Sequence, residues 1–377
     1  MTISWVENGS THSARWQSEA GVAAPKRVLI ADDTINADTA YRLACEGTAM
    51  LWRGDFQNAR QLLQAMARRC DHRKPAKKSA EKTADQHPSQ AFHLHRQAQA
   101  QRARILGMLL IEVDTNNEVH LKRAPDIKLA CAETYGKAAE NFVASLRELQ
   151  ALVGAHEWRK KGVPIAELGA NIHPHYGVFS PIRGEYLALI ANTPLPASEL
   201  AFDIGTGTGV IAALLAKRGV KKVIATDQDA RALACAKDNI ARLGFSKQIE
   251  LQQTDMFPAG KAPLIVCNPP WLPAKPSSPI EYAIYDPDSR MLMAFLNGLK
   301  AHLTEHGEGW LILSDFAEHL GLRSRETLLN AIQTAGLRVE QKIDIKPKHG
   351  KVDNQEDRLH QARLAEITSL WRLKVLT

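Results

Sequence analysis

The sequence predicts an α/β protein whose second half is a doubly wound, mostly parallel sheet and whose first half is α-rich. Four strand-like apolar runs alternate with helical stretches in the second half: LAFDIG, KKVIATD, APLIVCNP and GWLILSD. This alternation is typical of consecutive βαβ units. The overall composition is that of a globular chain, because hydrophobic residues make up 45% and charged residues 24%.

The length of 377 residues exceeds that of one ordinary domain. We therefore predict an N-terminal domain over residues 1–170 and a second domain over residues 171–377. The first domain starts with a polar stretch, 1–25, that we expect to be frayed. Apolar residues at helical spacing predict helices within 38–69, 90–104 and 127–158, and the pattern of 107–124 predicts two strands joined by a tight turn.

Several classes of protein are not expected from this sequence. No apolar run approaches the roughly eighteen residues of a membrane span. The N-terminus MTISWVENGS lacks the basic and apolar regions of a secretory signal. The five cysteines are scattered and contain no CxxC pair, so they predict neither a zinc clamp nor a redox bridge. We expect a cytoplasmic protein that needs no metal.

The formal net charge of +7 is concentrated in one basic segment, residues 68–104. Ten Lys or Arg residues and three acidic residues lie in it, so the rest of the chain is formally neutral. Such a segment can bind the phosphates of a nucleic acid. The alternative is a solvated loop that only keeps the protein in solution, because Phe92 is the one aromatic residue of the segment.

The strongest local pattern is the glycine-rich turn DIGTGTG, which follows an apolar strand and precedes a predicted helix. Glycine at alternate positions lets the backbone turn sharply and approach a ligand closely. A nicotinamide dinucleotide fingerprint needs glycine at the sixth place of GxGxxG, where this chain has Val210. The pattern therefore predicts a different cofactor, bound by Asp203, Gly205, Thr206, Gly207 and Gly209.

Two further acids are predicted at the ends of the next strands. Asp227 lies 24 residues after Asp203, and a carboxylate at that strand end can accept both hydroxyls of a ribose. Asp255 stands in TDMF, where the following strand should end. It can accept the amino group of an adenine ring that packs on Met256 or Phe257. Three acids on consecutive strand ends indicate an adenosine site.

The segment Asn268-Pro269-Pro270-Trp271 directly follows the apolar run LIVC. Two prolines at the end of a buried strand remove ladder donors and are hard to explain as structure alone. They are suited to a clamp, in which the Asn268 side-chain oxygen and the Pro269 carbonyl accept the two hydrogens of a planar NH₂ group. Trp271 offers a flat face for stacking. A proline-rich turn with a core tryptophan is the structural alternative.

Together these motifs resemble the class I methyltransferases with an NPP-aromatic motif, the small-domain group, over roughly 173–339. That group contains protein-glutamine N5, ribosomal RNA guanine-N2 and tRNA adenine-N6 methyltransferases. The resemblance implies a seven-stranded Rossmann-like sheet with an antiparallel C-terminal strand, S-adenosyl-L-methionine as cofactor, and an enzyme that methylates nitrogen. It also implies that Asn268 contributes to both the cofactor site and the acceptor clamp.

The resemblance leaves the substrate open. GVFS at residues 177–180 is similar to the guanine-N2 enzymes, whereas Pro181, Arg183 and Glu185 match a P-x-R-x-E pattern of the glutamine enzymes. At 285–290 the chain has YDPDSR, without the glycines of the GGxDG-like turn of the glutamine enzymes. We therefore favour the exocyclic amino group of an RNA base over a protein glutamine as acceptor, with residues 1–170 recognising the substrate. A non-catalytic RNA-binding protein on the same fold is the remote alternative.

Overall fold

The computed structural model describes residues 1–71, 88–182, 184–276, 279–347, 357 and 359–376. These residues form two compact units, one within 1–86 and 93–157 and the other within 87–92 and 158–377. The predicted division into domains at residues 170 and 171 stays a prediction. Within the described ranges, no helix combines the length and the apolar character required to span a bilayer.

The described part of the first unit contains a mixed sheet of six strands in the order β1-β2-β6-β5-β4-β3. The strands are β1 Thr2–Glu7, β2 Ser10–Trp16, β3 Arg27–Ala31, β4 Thr48–Trp52, β5 Leu109–Val113 and β6 Phe142–Ser145. The helices in the first 161 residues are α1 Ala37–Cys45, α2 Phe56–Asp71, α3 Pro88–Leu106, α4 Lys128–Tyr135 and α5 Leu146–Lys161.

The sequence correctly predicts helices in the first half of the chain, but the six-stranded sheet was not expected. The predicted frayed N-terminus is wrong, because β1 and β2 pair as an antiparallel hairpin that buries Trp5 and Trp16. The predicted helical stretches 38–69 and 127–158 are interrupted by β4 and β6, whose residues are almost all buried. Apolar residues of a short buried strand satisfy helical spacing as well, which explains the error.

The second strand predicted within 107–124 does not form. Asp114 Oδ1 accepts the backbone N–H groups of Asn116 and Glu118, both at 2.8 Å. Asn117 adopts a φ of +60°, and residues 118–124 after the turn form no strand beside β5. A side chain that bonds its own backbone in this way stabilises a turn over a strand.

The second unit carries the predicted doubly wound sheet. Its strands and helices in chain order are β7 Val163–Ile165, β8 Ala170–Ile172, α6 Glu185–Asn192, β9 Leu200–Ile204, α7 Val210–Lys217, β10 Lys222–Asp227, α8 Ala230–Arg242, β11 Ile249–Gln253, β12 Ala262–Cys267, α9 Arg290–His302, β13 Leu303–Ser314, α10 Phe316–His319, α11 Arg325–Thr334, β14 Leu337–Ile345, α12 His360–Ala365 and β15 Thr368–Val375. Seven of these strands form one sheet, and β7 and β8 form a separate hairpin.

The order of the main sheet is β11-β10-β9-β12-β13-β15-β14. Five neighbouring strands, β11, β10, β9, β12 and β13, are parallel to one another. The C-terminal strand β15 pairs antiparallel with both β13 and β14. The predicted seven-stranded, mostly parallel sheet with an inserted antiparallel strand is confirmed. The strand order reverses between β9 and β12, where ligands bind in sheets of this kind.

Helices cover both faces of this sheet and bury a core on each. One core contains residues of α6, α7 and α8, such as Leu187, Leu214 and Ile240. The other contains residues of α9 and α11, such as Leu296 and Leu328. Two-sided burial explains why the strands read as continuous apolar runs in the sequence.

Candidate active site

The carboxyl ends of three neighbouring strands bring the predicted site residues to one edge of the sheet. Strand β9 lies between β10 and β12, with Asp203 beside Ala225 on one side and Val266 on the other. Parallel strands end at the same edge, so Asp203 on β9, Asp227 on β10 and Asn268 after β12 lie along one line of strand ends. This edge is where an open α/β sheet binds its ligand.

The glycine-rich turn between β9 and α7 has a left-handed backbone at three positions, with φ of +70° at Gly205, +55° at Gly207 and +80° at Gly209. A Cβ atom at Gly209 would lie 3.2 Å from the Cβ of Ala236, so this glycine allows α7 and α8 to pack closely. A Cβ atom at Gly207 would meet nothing within 4 Å. The main chain at Gly207 is therefore open to a ligand.

Asp203 is fully buried at the start of this turn. Its Oδ2 accepts the Thr206 hydroxyl at 2.6 Å and the Ala212 N–H at 3.1 Å, whereas Oδ1 has no partner among the described residues. Burial raises the pKa of Asp203 to about 7, because desolvation outweighs these two hydrogen bonds, and the nearby Asp227 charge raises it further. An unpartnered carboxylate oxygen of this kind fits a cationic ligand group.

Asp227 ends β10 and faces the glycine-rich turn. Its Oδ2 accepts the N–H of Gly207 and its Oδ1 accepts the N–H of Asp229, both at 3.0 Å. Burial raises the pKa of Asp227. Each carboxylate oxygen keeps a second acceptor site, so the group can still receive the two hydroxyls of a ribose. The two hydrogen bonds also hold the Asp227 carboxylate next to the open backbone at Gly207.

The predicted adenine side of the site is less preformed. Asp255 is exposed and forms an ion pair with Arg290, at 3.1 and 3.2 Å. An exposed pair of this kind contributes under about 1 kcal/mol, so it competes weakly with a ligand. Met256 has a φ of +75°, and its carbonyl accepts the Thr226 hydroxyl at 2.6 Å. Phe257 stacks on His302, with ring centroids 4.4 Å apart.

The segment predicted to form the acceptor clamp contains a hydrogen bond that the sequence did not indicate. The indole Nε1 of Trp271 donates to Asn268 Oδ1 at 2.9 Å. Pro269 is buried, and Trp271 is half-buried against the cores on both faces of the sheet. The bond therefore fixes the Asn268 amide and the indole plane relative to each other at the end of β12.

Two groups that the sequence analysis missed support these loops. A Cβ at Gly205 would overlap the Met291 methyl group, so the start of α9 packs directly on the glycine-rich turn. Asn239 is 1% exposed; its amide donates to the Thr208 carbonyl at 3.1 Å and its oxygen accepts the His173 N–H at 2.7 Å. The signal for Asn239 was its place on the apolar face of α8, where a polar residue needs buried partners.

Some predicted residues lie elsewhere or outside the described ranges. Arg183 and the central part of the basic segment, residues 72–87, are not among the described residues. Of the described basic residues, Arg69 pairs with Asp38 at 2.7 Å and Arg102 pairs with Asp71 at 2.8 Å. These two guanidinium groups are therefore already partnered by carboxylates, which reduces the charge that they offer to phosphates.

The arrangement fits S-adenosylmethionine. The unpartnered Asp203 oxygen suits its cationic end, the open Gly207 backbone leaves room for it, and Asp227 suits its ribose. The doubly wound sheet with this turn and an NPP-aromatic segment after β12 defines the class of S-adenosylmethionine-dependent methyltransferases. Comparison with known families gives the same class: residues 169–335 match the family model described as "Methyltransferase small domain". Residues 169–335 therefore match a methyltransferase domain, and the cofactor of this class is S-adenosylmethionine.

Curated relatives with similar sequences have different substrates in their names. The chain is 32% identical to a release factor glutamine methyltransferase of Cereibacter sphaeroides over 43% of its own length and 58% of the relative. It is 27% identical to a putative protein N5-glutamine methyltransferase of Methanocaldococcus jannaschii over 47% and 89% of the two chains. It is 24% identical to a tRNA1(Val) (adenine(37)-N6)-methyltransferase of Shewanella amazonensis over 47% and 76%. The chain thus spans less than two thirds of the first of these relatives.

Proposed function

We propose that this protein transfers a methyl group from S-adenosylmethionine to a planar NH₂ nitrogen. The observation that carries the proposal is the placement of Asn268 and Trp271 at the end of β12, next to the strand end that bears the glycine-rich turn. The cofactor supplies an electrophilic methyl group when bound. The residues after β12 present an oxygen, a proline carbonyl and an aromatic face to the acceptor.

The chemistry of the acceptor explains these residue types. The lone pair of an amide or base amino nitrogen is delocalised and is a poor nucleophile. An acceptor oxygen at Asn268 and another at Pro269 hold the two N–H protons as the nitrogen becomes tetrahedral, an interaction that is stronger in the transition state than in the ground state. Positioning and exclusion of water supply the remaining acceleration. The proton leaves readily once the nitrogen is alkylated and cationic.

As acceptor we propose the exocyclic amino group of a base in ribosomal or transfer RNA. The indole of Trp271 has a face large enough to stack a base, and it is only half-buried. The basic segment 68–104 supplies an excess of positive charge for phosphates. A relative that modifies adenine N6 in tRNA aligns over 47% of the chain.

A protein glutamine is the second candidate acceptor, and two observations favour it. Two relatives named as glutamine methyltransferases align over similar lengths. In addition, Asp288 and Ser289 adopt left-handed backbone angles, with φ of +56° and +54°. This is the conformation that glycine would favour, so the chain keeps a glycine-like turn at the place where the glutamine enzymes have glycines. The absence of these glycines therefore argues less strongly against a glutamine substrate than the sequence suggests.

Methyl-labelled cofactor distinguishes the acceptors. The enzyme is incubated with labelled S-adenosylmethionine and with separate RNA, DNA and protein fractions of a lysate. We expect label in the RNA fraction, and we expect it to accumulate about 10²- to 10³-fold more slowly with Asn268→Ala. Label in the protein fraction alone would replace RNA with the glutamine candidate, and label in no fraction would contradict methyl transfer.

We also propose a cytoplasmic location, which is supported by five cysteines that are all free thiols.

A further inference from the structure

Arg323 is a buried cation that takes no part in the site described above. It lies in the loop between α10 and α11 with 7% of its surface exposed. Its Nη1 donates to Ser289 Oγ at 3.3 Å, whereas Nε and Nη2 have no hydrogen-bond partner among the described residues. These two nitrogens form one edge of the planar guanidinium group. That edge binds two oxygens of a phosphate or carboxylate side by side.

The carboxylates near Arg323 are engaged elsewhere. Asp286 and Glu318 act on it through their charges, but Asp286 accepts the N–H groups of Met291 and Leu292, and Glu318 binds Arg325 at 2.8 Å. Burial lowers the pKa of Arg323. A buried charge with two unpaired donor nitrogens destabilises a folded protein. The cost is offset if an external oxyanion completes the site.

The location of Arg323 relates it to the methyl acceptor. Strand β13, which α10 follows, is the neighbour of β12, so the loop of Arg323 lies at the ligand-binding edge. Its partner Ser289 belongs to a turn whose Asp286 N–H donates to the carbonyl of Leu272, directly after Trp271. Along the strand ends, the order is therefore the glycine-rich turn, the acceptor clamp and then the guanidinium group.

We propose that Arg323 binds the phosphate of the nucleotide that is methylated, a subsite that rests on the proposed RNA substrate. Every RNA nucleotide carries a phosphate at a fixed reach from its base, whereas a glutamine has no such neighbouring oxyanion. Both unpaired nitrogens are buried in the structure, so the turn at 286–289 or Arg323 itself moves when the phosphate binds. The free energy of the unpaired charge favours that movement.

Probes that differ only in the phosphate test this subsite. The four nucleoside 5′-monophosphates and their parent nucleosides are titrated against the enzyme with saturating S-adenosylhomocysteine, which fills the cofactor pocket. We expect the preferred monophosphate to bind the wild type at least about tenfold more tightly than its nucleoside, as for a charged hydrogen-bonded pair. In Arg323→Gln the preference should fall below about twofold. It should persist in Arg338→Gln, which removes an exposed arginine of β14 that pairs with Glu340.

Thermal unfolding separates this role from a structural one. A structural Arg323 predicts a lower Tm for ligand-free Arg323→Gln, whereas removal of an unpartnered buried charge predicts an unchanged or higher Tm. An equal phosphate preference in wild type and Arg323→Gln would overturn the subsite, as would a lower Tm with the preference retained. Methylation of RNA together with either result would leave the proposed function intact. Methyl label in the protein fraction, together with no binding of any nucleotide, would overturn both the RNA acceptor and the Arg323 subsite.

Discussion

Asn268 is already oriented by Trp271 in the ligand-free protein. An amide oxygen has two lone pairs, and the bond from Trp271 Nε1 uses one of them. The other remains available for an N–H of the methyl acceptor. The amide dipole therefore needs little reorganisation when the nitrogen becomes tetrahedral, which is the condition under which such a donor-acceptor contact accelerates a reaction most.

Asn268→Ala should lower kcat on the identified substrate by about 10² to 10³, because it removes a contact that strengthens in the transition state. Cofactor affinity should change much less than kcat, because Asp203 and Asp227 on the other strand ends remain in the variant. Steady-state kinetics with calorimetric cofactor binding as the folding control measure both. Nearly full kcat in this variant would show that Asn268 does not hold the acceptor.

The indole of Trp271 has two separable roles, and two substitutions distinguish them. Trp271→Ala should raise KM, because it removes base stacking of about 1 to 3 kcal/mol from the ground state. Trp271→Phe keeps an aromatic face but removes the donor to Asn268 Oδ1, so it should lower kcat more than it raises KM. The same kinetic series measures both variants. An unchanged KM in Trp271→Ala would argue against stacking of the acceptor.

Asp203 should make both stability and cofactor binding depend on pH. Its pKa rises from 3.8 to about 7 in the folded protein, so between these values the folded state binds more protons than the unfolded state. The free energy of unfolding of the ligand-free protein should therefore fall as the pH rises through this window, by on the order of 4 kcal/mol at most, and level off above pH 7.

Asp203→Asn should flatten this pH dependence, because the amide cannot ionise and resembles the protonated acid in shape. Denaturant unfolding at pH 5 and pH 8 measures the difference. In the wild type, cofactor affinity should also rise with pH up to about 7, because the cationic end of the cofactor favours the carboxylate. Equal pH slopes in the wild type and Asp203→Asn would show that Asp203 titrates normally.

The open backbone of the glycine-rich turn gives a prediction with a matched control. Gly207→Ala places a methyl group in space that faces no protein atom within 4 Å, so it should weaken cofactor binding by blocking the ligand. Gly244 is also left-handed, with a φ of +80° and nothing within 4 Å, but it follows α8. Gly244→Ala should cost similar stability, about 1 to 2 kcal/mol, and leave cofactor affinity unchanged. Equal reductions of affinity in the two variants would contradict a ligand at Gly207.

Pattern and spacing predicted the parts of the fold that depend on local sequence. The alternation of buried strands and helices predicted the seven-stranded sheet, and DIGTGTG and NPPW were placed correctly at the ends of β9 and β12 because turn chemistry is local. The position of Asp227 at the end of β10 was predicted from its spacing after Asp203, which is the length of one βαβ unit. These features need no knowledge of distant contacts.

Tertiary contacts determine what the sequence could not predict. The hydrogen bond between Trp271 and Asn268, the packing of Met291 on Gly205 and the unpartnered edge of Arg323 all depend on how separate loops meet at the sheet edge. The hairpin β1–β2 was missed because its exposed residues are polar apart from Val6, and only the pairing of the strands shows that Trp5 and Trp16 are buried.

Neutralising the charge of the basic segment 68–104 tests whether this segment binds RNA. If it binds RNA, the substitution of Lys74, Lys77, Lys78 and Lys82 by glutamine should weaken RNA binding. The log–log slope of affinity against salt should also become shallower, by roughly 0.7 to 0.9 for each phosphate that is no longer neutralised. The measurement is RNA affinity over a series of salt concentrations, with cofactor affinity as control. An unchanged slope would make the segment a solubilising loop.

The protein as a whole combines a methyltransferase domain with an additional sheet-containing unit. The family match covers residues 169–335, and the first compact unit lies before it. We propose that the motifs at the sheet edge determine the cofactor and the class of acceptor atom. Relatives that are similar to this chain are named for RNA and for protein substrates alike. We therefore expect the first unit to determine which macromolecule is methylated.

The identity of the methylated atom shows whether the enzyme acts on a planar nitrogen. The fraction that takes up label from S-adenosylmethionine is hydrolysed to nucleosides or amino acids, and mass spectrometry identifies the atom that carries the methyl group. We predict an exocyclic N-methyl nucleoside, or N5-methylglutamine if the second candidate is correct, and its formation should be about 10²- to 10³-fold slower with Asn268→Ala. A methyl group on oxygen, carbon or sulfur in a product of the wild-type enzyme would contradict the assignment of Asn268 to Trp271 as a clamp for a planar nitrogen.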